Sequence, residues 1–208
     1  DQAAVRIPHA PVTRIHAGCG AYRVPGWLNI ELIPLAESPY ASIKDEGGVL
    51  VLSFDLTQGI PIHDNQVNLV YSSHFIEHLT LEEGRLFLKE SFRVLASGGR
   101  MRITCPALDT YMQRYLERDN HFFDQIQSYG KAFDDLATIG HVVMGQIQGW
   151  GHRWIYDRDM LRYELGKAGF GKVQDSSFRG SDFPDLHLLE SNEEAKVVQS
   201  LYMEAYKN

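Results

Sequence analysis

The sequence predicts an α/β fold, a three-layer sandwich around a mostly parallel, seven-stranded sheet with an antiparallel last strand. Three observations carry that prediction. Short β-rich runs alternate with turns and helical stretches through the first half. A Gly-x-Gly turn follows the first run directly, and polar residues stand at the ends of four successive runs. The 208 residues suit one domain, 1–208, large enough to bury a real core.

The apolar stretch Val12 to Ala17 reads as the first strand and stops at Gly18-Cys19-Gly20. Trp27 to Ile33 is the second, and Val49 to Leu56 the third, nearly continuous and so expected to be buried on both faces. Val67 to Ser72 is the fourth. Leu81 to Leu95 has helical spacing, with Thr80 as its N-cap and Glu82-Glu83 in the first turn. Ser97-Gly98-Gly99 ends that helix, and Arg100 to Cys105 is the fifth strand. Beyond Pro106, Leu108 to Leu116 reads as helix and Phe122 to Trp150 as irregular, rich in Gly, His and aromatics. Residues 107–156 are therefore expected to form an insertion, a lid or acceptor pocket. Asp157 to Ala168 is helix closed by Gly169, and Phe170 to Phe178 is the sixth strand. In the tail, Ser191-Asn192-Glu193-Glu194 would suit a helix start, yet Ser200 to Tyr206 alternates as a strand does, and a final strand is favoured.

Composition narrows the function classes. Twenty Lys and Arg against 27 Asp and Glu give a formal charge of -7, which argues against a surface made to hold bare nucleic-acid backbone. No apolar run approaches the roughly 20 residues of a membrane helix, and Asp1-Gln2-Ala3-Ala4 shows no signal pattern. Cys19 and Cys105 are too few for a disulfide framework, so reduced thiols in a cytoplasmic protein are expected.

Four stations carry candidate chemistry. Gly18 and Gly20 would let backbone approach a bound cofactor closely, although Arg23 at the third position excludes the dinucleotide fingerprint. Taken alone, a tight turn without ligand explains this station equally well. Glu31 ends the second strand, where a carboxylate accepts hydrogen bonds from both ribose hydroxyls of an adenosine. Asp55 and Leu56 end the third, where a carboxylate and adjacent amides can bracket an adenine edge, though a surface Glu31 and a structural Asp55 at strand ends explain either station equally simply. Ser72, Ser73 and His74 end the fourth. Ligands of open α/β sheets sit outside the carboxyl ends of the strands, so four stations together weigh more than any one.

With those residues in view, the stretch Arg14 to Leu108 resembles the class I S-adenosylmethionine-dependent methyltransferases, Rossmann-like enzymes, and within them the group acting on small molecules and sugars. The carrying strings are RIHAGCG with VPGWLNIEL, FDLTQGIPIHDNQVNLVYSSHFIEHL, ESFRVLASGGRMRITCPAL, HRWIYDRDMLRYELGKAGF and SLYMEAYK. The resemblance implies S-adenosylmethionine as cofactor. It places Ala17, Gly18, Cys19 and Gly20 at the methionine part, Glu31 at the ribose, Asp55 and Leu56 at the adenine, and Ser72, Ser73 and His74 at the reactive side. Asn68 stands where the group usually has Asp, Glu31 replaces its commoner Asp, and Ala17 a larger apolar residue.

Methyl transfer to oxygen needs a proton acceptor, and His74, His78 and His152 are the catalytic candidates, His152 foremost on the acceptor side. His141 shares the aromatic-rich insertion with His152. Each of these histidines has a structural reading beside the catalytic one. Asp109 would bind acceptor or cap a helix, and Cys105 reads as packing. No metal is expected. His74-Phe75-Ile76-Glu77-His78 nevertheless has the His-x-x-Glu-His order of inverted zinc peptidases, in which two histidines would share a helix face with Glu77 as base. Its place after a strand and a turn argues against that, and stoichiometric zinc would overturn the methyltransferase assignment. The expected partner is a small-molecule or sugar acceptor methylated on oxygen or nitrogen. The alternative is a catalytically silent binding or scaffold subunit.

Overall fold

A computed structural model describes residues 12–32, 42–130, 133–190 and 194–208. The chain start, the end of the second expected strand at Ile33 and the capping candidates Ser191, Asn192 and Glu193 lie outside them.

Strand β1 (Arg14–Ala17) lies between β2 (Leu28–Glu31) and β5 (Val67–Ser73), parallel to both. Strand β4 (Leu50–Ser53) extends the sheet beyond β2, and β6 (Leu95–Pro106) continues it beyond β5, again in parallel. Strand β8 (Ser200–Tyr206) inserts antiparallel between β6 and β7 (Lys172–Ser176). These seven are the expected strands in a mostly parallel sheet. An eighth, β3 (Ser42–Asp45), pairs antiparallel on the outer edge of β4. The full order is β3-β4-β2-β1-β5-β6-β8-β7.

The pleat sends successive side chains to opposite faces. Val70 and Met101 join the main core under α1 (Leu81–Val94) and α5 (Arg158–Ala168). Tyr71 turns the other way, onto Trp27, Phe183, Leu186 and Leu189. Helix α1 starts where expected because Thr80 and Glu83 form a reciprocal capping box, satisfying two amides that the first turn leaves open. Helix α5 begins on Asp157 and ends at Gly169, whose φ of +116° closes the last turn.

Helix α2 (Leu108–Leu116) is as expected. The stretch read as irregular instead holds α3 (Asn120–Tyr129) and α4 (Ile139–Gln148), capped by Asp119 and Thr138. Its Phe122, Phe123, Ile126, Val142 and Val143 pack with Tyr111 into a separate small core. The tail combines both of its readings: α7 (Glu194–Gln199) runs directly into β8, after the short α6 (Leu186–Leu189). Among the described residues, no helix is long and apolar enough to cross a membrane.

One polar knot ties the 177–190 segment to the sheet. Fully buried Arg102 on β6 donates to Glu190 (2.6 Å), to Glu204 on β8 (2.9 Å), and to Ser176 and the Ser177 carbonyl. Its planar fork suits several acceptors at once. The knot holds Leu189 and Glu190 beside the carboxyl ends of β1 and β5.

Candidate functional site

A cleft of about 360 Å³ opens at the carboxyl ends of β1 and β5, lined by His16, Gly18, Cys19, Gly20, Ala21, Tyr22, Ser73, His74, Leu189 and Lys196. Its size falls in the range of small-molecule pockets. The Gly-x-Gly turn forms one wall, and its amides are pinned to β2. Gly18 and Cys19 donate to the Ile30 carbonyl, and Gly20 donates to Glu31 Oε2 at 2.7 Å. Glu31 Oε1 accepts from Leu32 (2.9 Å). The two glycines differ in what requires them. Gly18 has φ +66°, and a Cβ there would meet the Phe75 ring at 2.3 Å. Gly20 has φ +55°, and among the described residues nothing lies within 4 Å of a Cβ position, which leaves that side open to a ligand.

Ala17 is buried in the core at the end of β1, and Ser72 is buried beside it in the β1–β5 register, its Oγ without a hydrogen-bond partner among the described residues. Cys19 is buried, and burial first, then Glu31, pushes its thiol up to about 12, which keeps it protonated. Asp55 Oδ1 accepts from the Thr57 amide (2.9 Å) and hydroxyl (2.7 Å), capping a 3-10 turn over Leu56–Gln58. The Leu56 side chain lies in the core. Neither residue lines the cleft, so any contact from this station to an adenine would come from the neighbouring backbone or a free carboxylate edge.

His74 stands on the cleft wall in a left-handed conformation with φ +50°, which costs a residue with a Cβ about 1–3 kcal/mol. Its Nε2 is 2.8 Å from Ser200 Oγ, and its Nδ1 is 3.2 Å from Glu77 Oε1. Glu77 is 0% exposed, and neither of its oxygens accepts a well-aligned hydrogen bond. Burial pushes its carboxyl up. The contact and charge of His74, with its own backbone and His78, outweigh that and hold it below the ordinary carboxylate range.

Behind Glu77, the His78 and His152 rings meet edge to face at 5.0 Å. His152 Nδ1 is 2.6 Å from the Gln146 carbonyl oxygen, and burial lowers its pKa below the usual histidine value. The segment is held there because the Arg153 and Trp154 amides donate to the Glu77 carbonyl at 2.7 and 3.1 Å. The structure thus gathers His74, Glu77, His78 and His152. It leaves His141 exposed against Thr138 and Asp109 in an ion pair with Arg158 (3.2 Å). Cys105 is fully buried, and burial raises its thiol well above its ordinary range, as packing requires. The zinc-peptidase arrangement does not form. The motif is a 3-10 turn over Ile76–His78 rather than an α-helix, and the second histidine beside His78 is His152, not His74.

Sequence reading missed Tyr22, Leu189 and Lys196 on the cleft wall and gave no role to His16, which opens the turn His16-Ala17-Gly18-Cys19-Gly20. His16 is buried, faces Tyr71 at 5.2 Å, and is lowered to about 4 by burial, partly opposed by Asn29. It therefore stays neutral near pH 7. Its position inside a strand gave no signal; only the order of the sheet brings it to the cleft.

A mixed, mostly parallel sheet with this order and a cleft over a Gly-x-Gly turn defines a Rossmann-like α/β fold. Residues 15–103 match the family described as a methyltransferase domain. Solved structures agree on the fold. A SAM-dependent methyltransferase from Archaeoglobus fulgidus superposes with a TM-score of 0.52 at 14% identity, covering 95% of this chain and 87% of that one. A possible histamine N-methyltransferase from Thermotoga maritima gives 0.52 at 16%, covering 96% and 84%. A phosphoethanolamine N-methyltransferase 2 of Haemonchus contortus, solved with phosphomonomethylethanolamine and S-adenosylhomocysteine, gives 0.51 at 12%, covering 99% and 52%. No curated protein matches by sequence.

Proposed function

We propose that this chain transfers the methyl group of S-adenosylmethionine to oxygen or nitrogen of a small-molecule or sugar acceptor. The observation that carries the reading is the cleft itself. It joins the Gly20 wall, anchored by Glu31, to His74, a base candidate backed by the buried Glu77 carboxylate. Gly20 leaves room for a close ligand, and the Glu31 carboxylate at the end of β2, 2.7 Å from the Gly20 amide, supports a ribose-holding role beside it. When bound, the cofactor supplies a sulfonium-activated methyl group. The chain then has to orient the two reactants and exclude water.

In this reading His74 takes the acceptor's proton at Nε2, now 2.8 Å from Ser200 Oγ, while Glu77 orients the ring and stabilises its charged form. The insertion 107–156 serves as the acceptor cap. Trp150 and Trp154, partly exposed on it, offer flat apolar surface for a ring or sugar face. The test is incubation with S-adenosylmethionine carrying a labelled methyl group and a panel of phenols, catechols, sugars and amines. Label on one class of acceptor supports the proposal. Cofactor binding with no transfer to any of them favours a silent binding or scaffold subunit.

A further inference from the structure

We propose that Glu77, His78 and His152 form a binding site for one divalent transition-metal ion of the zinc class. One potential ligand atom from each residue lies within 4.8 Å of the others. Glu77 is the telling member. It is completely buried, its sole ion-pair contact among the described residues is His74, and its oxygens accept no well-aligned hydrogen bond. Its one ion-pair partner, His74, carries charge only when protonated, whereas a bound cation would stay paired with the buried carboxylate at any pH.

The two histidines are presented as ligands are. The Gln146 carbonyl, 2.6 Å from His152 Nδ1, fixes the proton on that nitrogen and leaves the Nε2 lone pair for an ion. Metal-binding histidines almost always have such an outer partner. The Arg153 and Trp154 amides, donating to the Glu77 carbonyl, lock the segment carrying His152 onto the turn carrying Glu77 and His78. Two imidazoles and one carboxylate select zinc, cobalt or nickel over magnesium, which prefers oxygen ligands. They also leave a fourth position open, as catalytic zinc sites do. Ligands around a tetrahedral ion stand about 3.4 Å apart. Binding would therefore draw together the three ligand atoms, now within 4.8 Å of one another.

This site differs from the zinc-peptidase motif legible in the sequence. His74 stays outside it on the cleft wall, and His152 comes from the far side of the insertion. Metal content would consequently not separate a peptidase from a methyltransferase, contrary to the expectation from sequence. The site shares Glu77 with the proposed His74 base, but its test uses neither cofactor nor acceptor, so it fails or holds independently of methyl transfer.

Full-length protein is stripped with a chelator and dialysed, then titrated with zinc by calorimetry and with cobalt while visible d–d absorption is followed. The expected result is one equivalent of zinc bound, and cobalt bands of a low-coordinate site that zinc abolishes. His78→Ala and His152→Gln should each weaken zinc binding by at least about 100-fold, beyond the 10–100-fold that loss of an orienting partner costs. His141→Ala should leave it unchanged. Should His78→Ala fail to fold, His152→Gln and the near-isosteric Glu77→Gln decide. Absence of saturable zinc binding in the unaltered protein, or binding that the folded variants retain, overturns the proposal.

Discussion

Replacing Gly18 with alanine separates the two reasons a glycine can be required in the cleft turn. The added Cβ would lie 2.3, 2.4 and 2.6 Å from three Phe75 side-chain atoms, and Phe75 is itself packed against the main core. Forcing a methyl group into packed surroundings costs about 1–3 kcal/mol. The φ of +66° adds roughly 1–2 kcal/mol for a residue with a Cβ. Gly18→Ala should therefore lose about 2–5 kcal/mol of unfolding free energy. Gly20→Ala, with φ +55° and open space around its Cβ, should lose only the backbone share, about 1–2 kcal/mol. Urea titration of both variants measures the difference, and calorimetry with S-adenosylhomocysteine measures binding. Gly20→Ala should stay folded yet bind more weakly, and Phe75→Leu should recover part of the stability lost in Gly18→Ala, because the two sites share one contact. Equal stability of the two alanine variants would refute this division of roles.

Arg102→Met should cost about 3–5 kcal/mol in urea unfolding, because Glu190 and Glu204 then share a buried pocket without their cation. His16 has a folded pKa of about 4 against an ordinary 6.5, so the unfolded chain binds more protons between those values. Its contribution, up to about 3 kcal/mol, is complete above pH 6.5 and is lost as pH falls toward 4. His16→Gln should flatten that part of the stability–pH curve, and unfolding at several pH values checks it. His74→Gln should lower kcat by about 100-fold or more once an acceptor is known, with a much smaller change in KM for that acceptor.

The sheet was largely legible because each strand carries its own apolar run and stops at its own polar or glycine signal. Helix α1 was legible through Thr80 and the acidic residues of its first turn. Strand β3 was not, since Ser-Ile-Lys-Asp is a short edge segment whose pairing comes from β4 rather than from its composition. Helices α3 and α4 were hidden because glycines and aromatics blur the helical period there. Their stability comes from capping by Asp119 and Thr138 and from a shared core formed only when both helices meet Tyr111. Strand-end logic singled out Gly18, Cys19, Gly20, Ser73 and His74, all of which line the cleft. The contacts of His152 with His78, and of His74 with Ser200, join distant segments and follow from the topology alone.

The most direct test of the account is calorimetric titration of the purified protein with S-adenosylmethionine and S-adenosylhomocysteine, with NAD as the control. Micromolar binding of either, weakened in Gly20→Ala and absent for NAD, is the predicted result. Failure of both to bind a folded protein would contradict the assignment of this cleft as a methyl-donor site.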